Sequence, residues 1–247
     1  MLALDKPPGP TSYQALCALR EGDPSLRGAK LGHAGRLDPL AEGLLVVLVD
    51  GENQRSRELR ALPKTYEVDV LFGVATDSCD SLGLVTEVRP EVTLDAAALD
   101  AALLAWVGTF AQRCPPFSQA RVNGRSMIAW GHAGADVDPP SLPRTITAIT
   151  RNHLGHRDFD AVCDEAARRV DLVRGDFRQD AIRARWRAAS RRGVALPLAT
   201  ITVDCSAGTY MRALARDLGA TLGAPAMAWR IRRTRSGAMT LDGARRL

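Results

Sequence analysis

Cysteine is sparse in this chain of 247 residues, and no two cysteines form a C-x-x-C pair. The five cysteines are scattered at positions 17, 79, 114, 163 and 205. This spacing argues against a zinc ribbon and a disulfide scaffold, and favours reduced thiols in the cytoplasm. His153 and His156 form the only close histidine pair, but they lack an acidic or cysteine partner at a recognisable spacing. We therefore predict no metal site.

Long apolar segments are also missing. Purely apolar runs such as Leu44 to Val49 are far too short to span a bilayer. Acidic Asp5 and several prolines follow almost directly after the first residue, which is unlike a signal peptide. We therefore expect a soluble, cytoplasmic protein that makes no membrane contact.

Charge and composition are ordinary for a globular protein. Hydrophobic residues make up 46% of the chain, and 33 basic against 28 acidic residues give a formal net charge of +5. This mild positive bias permits an anionic partner such as RNA without requiring one. The length and the absence of repeats are consistent with one large domain over residues 1–247.

A glycine-punctuated loop around Asp38 runs directly into an apolar strand. Residues 32–43 read GHAGRLDPLAEG and are followed by LLVVLV. Such a loop can hold one carboxylate rigidly at the mouth of a sheet. On this pattern alone, a buried structural aspartate that caps a turn is equally consistent.

Alternating and helical patterns elsewhere predict an α+β fold. Residues 66–72 alternate apolar and polar, which predicts a strand, and we expect residues 84–88 to be its antiparallel partner. An amphipathic helix is predicted over 210–222 and a final strand over 229–234. The order favours a mixed, mostly antiparallel central sheet flanked by helices and loops.

The segment 157–192 is rich in arginine and has helical spacing. Its apolar residues recur at Phe159, Cys163, Ala166, Val170, Val173 and Phe177. Gly175 interrupts the pattern, and Asp176 with Gln179 resembles a capping pair that opens a second helix. We predict a helical hairpin whose arginines form a solvated face; an added surface for RNA or protein is the alternative.

Five ordered motifs cover nearly the whole chain. They are residues 5–12 (DKPPGPTS), 32–43 (GHAGRLDPLAEG), 64–66 (KTY), 73–83 (GVATDSCDSLG) and 205–219 (CSAGTYMRALARDLG). Together they resemble the motifs of the bacterial tRNA pseudouridine synthases of the TruB family. By this resemblance, the chain is a catalytic domain without the family's C-terminal RNA-binding domain, and 157–192 is an insertion within it.

The resemblance implies a pseudouridine synthase fold and an isomerase that modifies the T-loop uridine at position 55 of tRNA. That reaction breaks the N1–C1′ bond, turns the base over and joins C5 to C1′. It requires a carboxylate, a pocket for the freed uracil and a base flipped out of its loop. The implied partner is the T-arm of tRNA, with no cofactor and no obligate protein partner.

Three catalytic residues are implied by the resemblance. Asp38 would be the reacting carboxylate, and attack on C1′, addition to the base and removal of a ribose proton all stay open. Arg212 would form an ion pair that keeps this carboxylate charged in a desolvating pocket. Tyr66 would stack on the flipped base and assist proton removal at C5.

Further residues are implied to bind the substrate. His33 would pack into the space left by the flipped nucleotides, and Ile231 would line the uracil pocket. The remaining members of this set, expected at phosphate or loop contacts, are Lys6, Lys64, Arg36, Arg121 and Tyr210.

Two positions depart from the family pattern. Arg36 replaces a usual threonine shortly before Asp38, and Glu42, which could repel phosphate, replaces another. The resulting Arg36-Leu37-Asp38 resembles a different branch of pseudouridine synthases, which acts on ribosomal RNA and some tRNA sites. The alternatives are therefore a pseudouridine synthase acting on ribosomal RNA or another stem-loop, and an RNA-folding chaperone whose main role is binding.

Overall fold

The computed structural model of the chain describes residues 1–135 and 137–247. The strands found there are β1 (Leu2–Lys6), β2 (Leu31–His33), β3 (Glu42–Val49), β4 (Lys64–Phe72), β5 (Val74–Thr76), β6 (Val85–Val88), β7 (Gly108–Arg113), β8 (Arg121–Val122), β9 (Arg125–Ser126), β10 (Ser141–Asp158), β11 (Ala195–Cys205), β12 (Ala226–Ser236) and β13 (Arg245–Arg246).

The α-helices of the same residues connect these strands. They are α1 (Ser12–Gly22), α2 (Ser56–Ala61), α3 (Ala96–Ala105), α4 (Met127–His132), α5 (Phe159–Asp171), α6 (Gln179–Ala189) and α7 (Met211–Thr221). Two 3-10 helices, Pro24–Leu26 and Asp50–Arg55, complete the set. None of these helices is long and apolar enough to cross a membrane.

The central sheet is mixed and mostly antiparallel, which confirms the predicted fold class. Its strand order is β13-β1-β3-β12-β4-β11-β10-β7, and β2 pairs with β3 beside this path. Only the β1–β13 and β3–β12 pairs of the described sheet are parallel. The parallel pair brings the start of β3, directly after the Asp38 loop, beside Arg232 and Arg233 of β12.

The predicted pairing of residues 66–72 with 84–88 is wrong. Strand β4 lies between β11 and β12, and β6 instead pairs with β5 in a separate two-stranded sheet. The reason is burial on both faces of β4, where Val68, Val70, Leu71 and Phe72 are all 0–1% exposed. A central strand of this kind needs a partner along each edge, and the two 11-residue strands β11 and β12 provide them.

Hydrophobic residues fill both faces of the sheet. The division is visible along β12, because Ala228 and Ile231 belong to one apolar cluster while Met227 and Trp229 belong to the other. A register irregularity between Ala228 and Arg230 interrupts the simple alternation and places Ile231 on the face of Ala228. Helices α1, α3 and α7 contribute to the first cluster. Helices α5 and α6, which pack against each other, contribute to the second. The arginine-rich segment 157–192 therefore covers one face of the central sheet, and its origin as an insertion stays a prediction.

Candidate active site

The loop that carries Asp38 is anchored to the segment before α1. Leu37 donates its backbone N–H to Ser12 Oγ at 2.8 Å, and the same hydroxyl donates to the Leu37 carbonyl at 3.0 Å. Gly9 donates its N–H to the Pro39 carbonyl at 2.8 Å. Bonds on both sides of Asp38 thus fix the backbone, while the side chain itself keeps 32% of its surface exposed.

Lys6 holds the Asp38 loop through its backbone carbonyls. Its ammonium is 0% exposed and donates to the carbonyls of Pro7, Pro39 and Ala41 at 2.9, 3.0 and 2.7 Å. Burial lowers the pKa of Lys6 to about 8, although the charge of Asp38 opposes this shift. With its three donors used on carbonyls, Lys6 has a structural role, which corrects the expected phosphate contact.

Arg233 holds the other side of the same loop. It is 2% exposed and donates to the carbonyls of Leu44 and Gly35 at 2.7 and 2.9 Å. Its strand also runs very close to Gly43, where an added Cβ would lie 2.3 Å from the Arg233 carbonyl. Glycine at 43, with φ of +92°, is therefore required for this approach.

Arg212 forms the central ion pair of the site. Its Nε donates to Asp38 Oδ2 at 2.9 Å and lies 3.7 Å from Asp80 Oδ2. The guanidinium is 3% exposed, and its Nη1 also donates to the carbonyls of Ser78 and Pro116 at 2.8 and 2.9 Å. A planar, permanently charged guanidinium can donate to several acceptors in different directions at once, which the single ammonium of a lysine could not do at these positions.

Two carboxylates share the charge of Arg212. Burial alone would lower the pKa of Arg212, but the charges of Asp38 and Asp80 outweigh burial and raise it. Burial raises the pKa of Asp80, against the opposing effect of Arg212. Asp80 was missing from the predicted site residues, although its place in the 73–83 motif was a signal that could have identified it.

A cavity of about 490 Å³ opens beside this ion pair. Its lining includes the predicted residues Arg36, Asp38, Lys64, Tyr66, Tyr210, Arg212 and Ile231. Apolar side chains from Leu37, Met211 and Ile231 share the wall with the charged groups. A concave, largely apolar site with a few convergent polar groups is typical of small-ligand recognition, and a nucleobase matches this description.

Two tyrosines line the cavity from different elements. Tyr66 is half-buried on β4, opposite Arg233 of β12, and burial raises the pKa of its phenol. Tyr210 directly precedes α7, and the side chain of Gln112 binds both its N–H, at 2.8 Å, and its carbonyl, at 3.1 Å. Burial also raises the pKa of Tyr210, so both phenols are neutral at pH 7.

Lys64 is directed at the protein backbone rather than at solvent. It is 4% exposed and donates to the carbonyls of Arg60, at 2.6 Å, and Leu62. Burial, followed by the charge of Arg233, lowers its pKa to about 8. Like Lys6, it is therefore a buried support of the cavity wall, which corrects the expectation of a phosphate contact.

The remaining predicted binding residues lie apart from the cavity or at its edge. Arg36 is exposed among the lining residues, whereas Arg121 lies in the β8–β9 hairpin, outside the lining, and donates to the Gly124 carbonyl at 2.6 Å. His33 ends β2, also outside the lining, and burial, aided by the charges of Arg60 and Arg36, lowers its pKa to about 4. Its ring is therefore neutral at pH 7.

Glu42, the second departure from the family pattern, is paired with arginines. Arg230 Nε donates to Glu42 Oε1, and Arg232 Nη1 lies 3.9 Å from the same oxygen. Arg232 also donates to Asp5 Oδ2 at 3.0 Å. These pairs neutralise the carboxylate, so the expected repulsion of phosphate by Glu42 is largely offset.

The sequence matches one protein family over more than half of its length. The profile described as "TruB family pseudouridylate synthase (N terminal domain)" matches residues 24–170. The tRNA pseudouridine synthase B of Cupriavidus pinatubonensis is 36% identical over 99% of this chain and 64% of its own length. The corresponding protein of Syntrophus aciditrophicus is 31% identical, with the same two coverages. The chain thus spans 64%, less than two-thirds, of the length of these curated relatives.

Solved structures show the same fold at low sequence identity. A chain from "Crystal Structure of a Cbf5-Nop10-Gar1 Complex" has a TM-score of 0.62 at 20% identity, covering 100% of this chain and 51% of the other. A chain from "Structure of H/ACA RNP bound to a substrate RNA containing 2'-deoxyuridine" has a TM-score of 0.59 at 19% identity, covering 99% and 50%. At these identities the likeness concerns the fold.

Proposed function

This chain belongs to the TruB family of pseudouridylate synthases, and we propose that it isomerises uridine to pseudouridine in tRNA. The observation that carries the proposal is the ion pair of Asp38 with the buried Arg212 at a cavity of about 490 Å³. A partly exposed carboxylate held beside a fixed cation is a suitable nucleophile or base. The relatives named above, at 31% and 36% identity, support tRNA as the substrate class.

Asp38 is the reacting group of the proposed mechanism. Arg212 binds its Oδ2, and no described residue donates a hydrogen bond to Oδ1. The ion pair with Arg212 orients the carboxylate, whether Asp38 attacks C1′, adds to the base or takes a ribose proton. The isomerisation is balanced internally, because the N1–C1′ bond is replaced by C5–C1′ while C5 loses a proton and N1 gains one.

The uracil is held against apolar and aromatic surface. Tyr66 and Ile231 line the cavity together with Asp38. Stacking of a base on an aromatic ring contributes about 1–3 kcal/mol, which offsets part of the cost of unstacking the nucleotide from its loop. A target uridine therefore has to be flipped out of the RNA before Asp38 can reach it.

Within tRNA, we assign the reaction to the T-loop uridine at position 55. The sequence motifs of the TruB family support this site, with the T-arm as the partner. Arg36, exposed among the lining residues of the cavity, supplies a positive charge where the sugar–phosphate chain of the flipped nucleotide would pass.

The test is nucleotide-resolution mapping of pseudouridine on an unmodified tRNA transcript with wild type and Asp38→Asn. We expect product at position 55 with wild type, no product with Asp38→Asn, and similar tRNA affinity for both proteins. Product only on ribosomal RNA fragments would replace the tRNA assignment. RNA binding without product on any RNA would favour the chaperone.

A further inference from the structure

The connection between α5 and α6 reaches the catalytic residues. Phe177 and Arg178 from this connection line a small cavity of about 80 Å³, and the same cavity is lined by Asp38, Asp80 and Arg212. The arginine-rich hairpin therefore covers the sheet with its helices and contributes to the wall of the site with its tip. The motifs that identify the family do not include this tip.

Arg178 binds two separate segments near the site. Its Nη1 donates to Asp77 Oδ2 at 2.7 Å, and its Nη2 lies 3.4 Å from Asp77 Oδ1. The guanidinium also lies over the ring of Phe117, with the carbon Cζ 4.6 Å from the ring centroid. A planar cation can make a bidentate ion pair and stack on an aromatic ring at the same time.

The backbone at Arg178 is held in an uncommon conformation. Its φ of +61° lies in the left-handed region, directly before the first residue of α6. Such a conformation is costly for a residue with a side chain and persists where surrounding contacts enforce it. The backbone is held by its own hydrogen bonds, since the Arg178 N–H donates to Asp176 Oδ1 at 3.3 Å and its carbonyl accepts the N–H of Ile182 at 3.0 Å. The side-chain contacts with Asp77 and Phe117 add to them.

Asp77 is a firm attachment point for Arg178. Its Oδ1 accepts the backbone N–H of Leu84 at 2.8 Å, which closes the turn between β5 and β6. The Asp77 N–H in turn donates to the Leu84 carbonyl at 3.0 Å. Arg178 is thereby linked to a β-hairpin whose own geometry is fixed.

Phe117 connects Arg178 to the catalytic ion pair. The carbonyl of Phe117 lies 3.4 Å from Arg212 Nη2, and the preceding carbonyl of Pro116 accepts from Arg212 Nη1 at 2.9 Å. On its other side, the ring of Phe117 meets α4, where a Cβ on Gly131 would lie 2.5 Å from it. Contacts therefore run without a gap from Arg178 through Phe117 to Arg212 and Asp38.

We propose that Arg178 is a positioning residue for the uridine isomerisation: by clamping Phe117 against Asp77, it holds the carbonyls that orient Arg212 toward Asp38. This inference rests on the proposed function. Arg178 should affect the rate of the isomerisation rather than the affinity for tRNA, because it acts through Arg212 and its own charge is already bound to Asp77. The α5–α6 hairpin is then part of the catalytic apparatus of this chain.

The kinetic test compares Arg178→Ala and Arg178→Lys with Arg183→Ala as the matched control. Arg183 lies in the same hairpin and pairs with Asp171 and Asp180, so the control also loses hairpin ion pairs. We expect Arg178→Ala to lower the single-turnover rate constant about tenfold with little change in tRNA affinity. Arg178→Lys should recover part of the rate, because it keeps the charge and loses the planar stack.

Hydrogen–deuterium exchange provides a readout that does not depend on turnover. We expect Arg178→Ala, and not Arg183→Ala, to increase backbone exchange within residues 114–132. Wild type without any pseudouridine activity would refute the proposed function, and this exchange result would still decide whether Arg178 positions the Phe117 loop.

Several results would overturn the inference. They are an unchanged rate in Arg178→Ala, an equal loss of rate in Arg183→Ala, and unchanged exchange within residues 114–132. If Arg178→Ala does not fold, Phe117→Leu removes the same stack from the other side. Phe117→Leu should then slow turnover and increase backbone hydrogen–deuterium exchange within residues 114–132. Normal turnover in Phe117→Leu would refute the proposal that Arg178 acts through Phe117.

Discussion

At the scale of single residues, the main feature of this protein is a set of buried cationic side chains around the site. Arg212 is bound to Asp38 and to backbone carbonyls. By contrast, Lys6, Lys64 and Arg233 bind backbone carbonyls and form no ion pair within the described residues. Carbonyl oxygens stabilise a buried cation less completely than a carboxylate does, and both lysines accordingly have a pKa of about 8. The geometry of the Asp38 loop is thus maintained at an electrostatic cost.

This cost predicts a pH dependence of stability. Because the folded pKa of Lys6 lies below its unfolded value of 10.5, the unfolded chain binds more protons between about pH 8 and 10.5. The free energy of unfolding therefore gains from Lys6 as pH rises through this window. In Lys6→Met, the slope of this free energy between pH 8 and 9 should be smaller by up to about 1.4 kcal/mol per pH unit.

The measurement is urea unfolding of both proteins at pH 7, 8 and 9. The two proteins share all other titrating groups, including the thiols of Cys163 and Cys205, whose pKa values burial raises to about 12 and about 11. Because their folded pKa values are raised, those thiols lower the free energy of unfolding as pH rises above 9, and they do so equally in both proteins. Parallel pH profiles for wild type and Lys6→Met would contradict the assigned pKa of Lys6.

At the scale of elements, the α5–α6 hairpin is attached to the sheet through a pair of indoles. Trp186 of α6 is 0% exposed, and its ring lies edge-on to Trp229 of β12 with 6.2 Å between centroids. Arg169 of α5 donates to the Trp229 carbonyl at 2.6 Å and lies over its ring at 5.0 Å. Both helices therefore meet the sheet at the same strand, which also carries Ile231 and Arg233 of the site.

Trp186→Ala should be strongly destabilising. Removal of a fully buried indole leaves a cavity between α6 and the sheet, and such changes cost about 3–5 kcal/mol in the free energy of unfolding. Urea denaturation compared with Arg187→Ala, an exposed change in the same helix, measures the effect. A loss below about 1 kcal/mol would show that the hairpin is only loosely docked.

At the scale of the whole molecule, the hairpin has an apolar side on the sheet and a basic side in solvent. Deleting residues 157–192 would uncover Met227 and Trp229, so deletion cannot separate RNA binding from folding. Arginines 157, 178 and 183 of the segment are paired with acidic residues. Arg169 packs on Trp229, and the other arginines of the segment are exposed. The ion pairs and this exposure favour a solvated face over an added RNA surface.

Removal of unpaired charge tests this interpretation without disturbing the fold. Arg185, Arg187 and Arg192 are exposed, and none forms an ion pair within the described residues. We expect the triple alanine variant to change the dissociation constant for tRNA by less than about twofold at physiological salt. Electrophoretic or fluorescence titration checks this, and a weakening of about tenfold would show that the hairpin binds RNA.

Much of the site could be predicted because its signals are local in sequence. The loop around Asp38, the turn before Arg212 and the alternation of 66–72 each combine a residue type with a fixed spacing, and backbone chemistry converts that spacing into geometry. The ion pair between Asp38 and Arg212 was expected from the family motifs, and the structure contains it at 2.9 Å. The helical spacing within 157–192 likewise corresponds to two helices.

The tertiary structure decided what depends on contacts between distant segments. It gave β4 the partners β11 and β12 in place of β6, since a strand buried on both faces needs long neighbours. It enclosed Lys6, which reads as a surface cation in sequence, because the carbonyls of Pro39 and Ala41, 33 and 35 positions away, bind its ammonium. Lys64 binds the nearby carbonyls of Arg60 and Leu62, and its burial likewise appears only in the folded chain. It also brought Arg178 to Phe117, and no local pattern encodes a contact between a hairpin tip and a loop 61 positions earlier. Sequence therefore determined the chemistry that is available, and long-range packing determined which charges are buried beside Asp38.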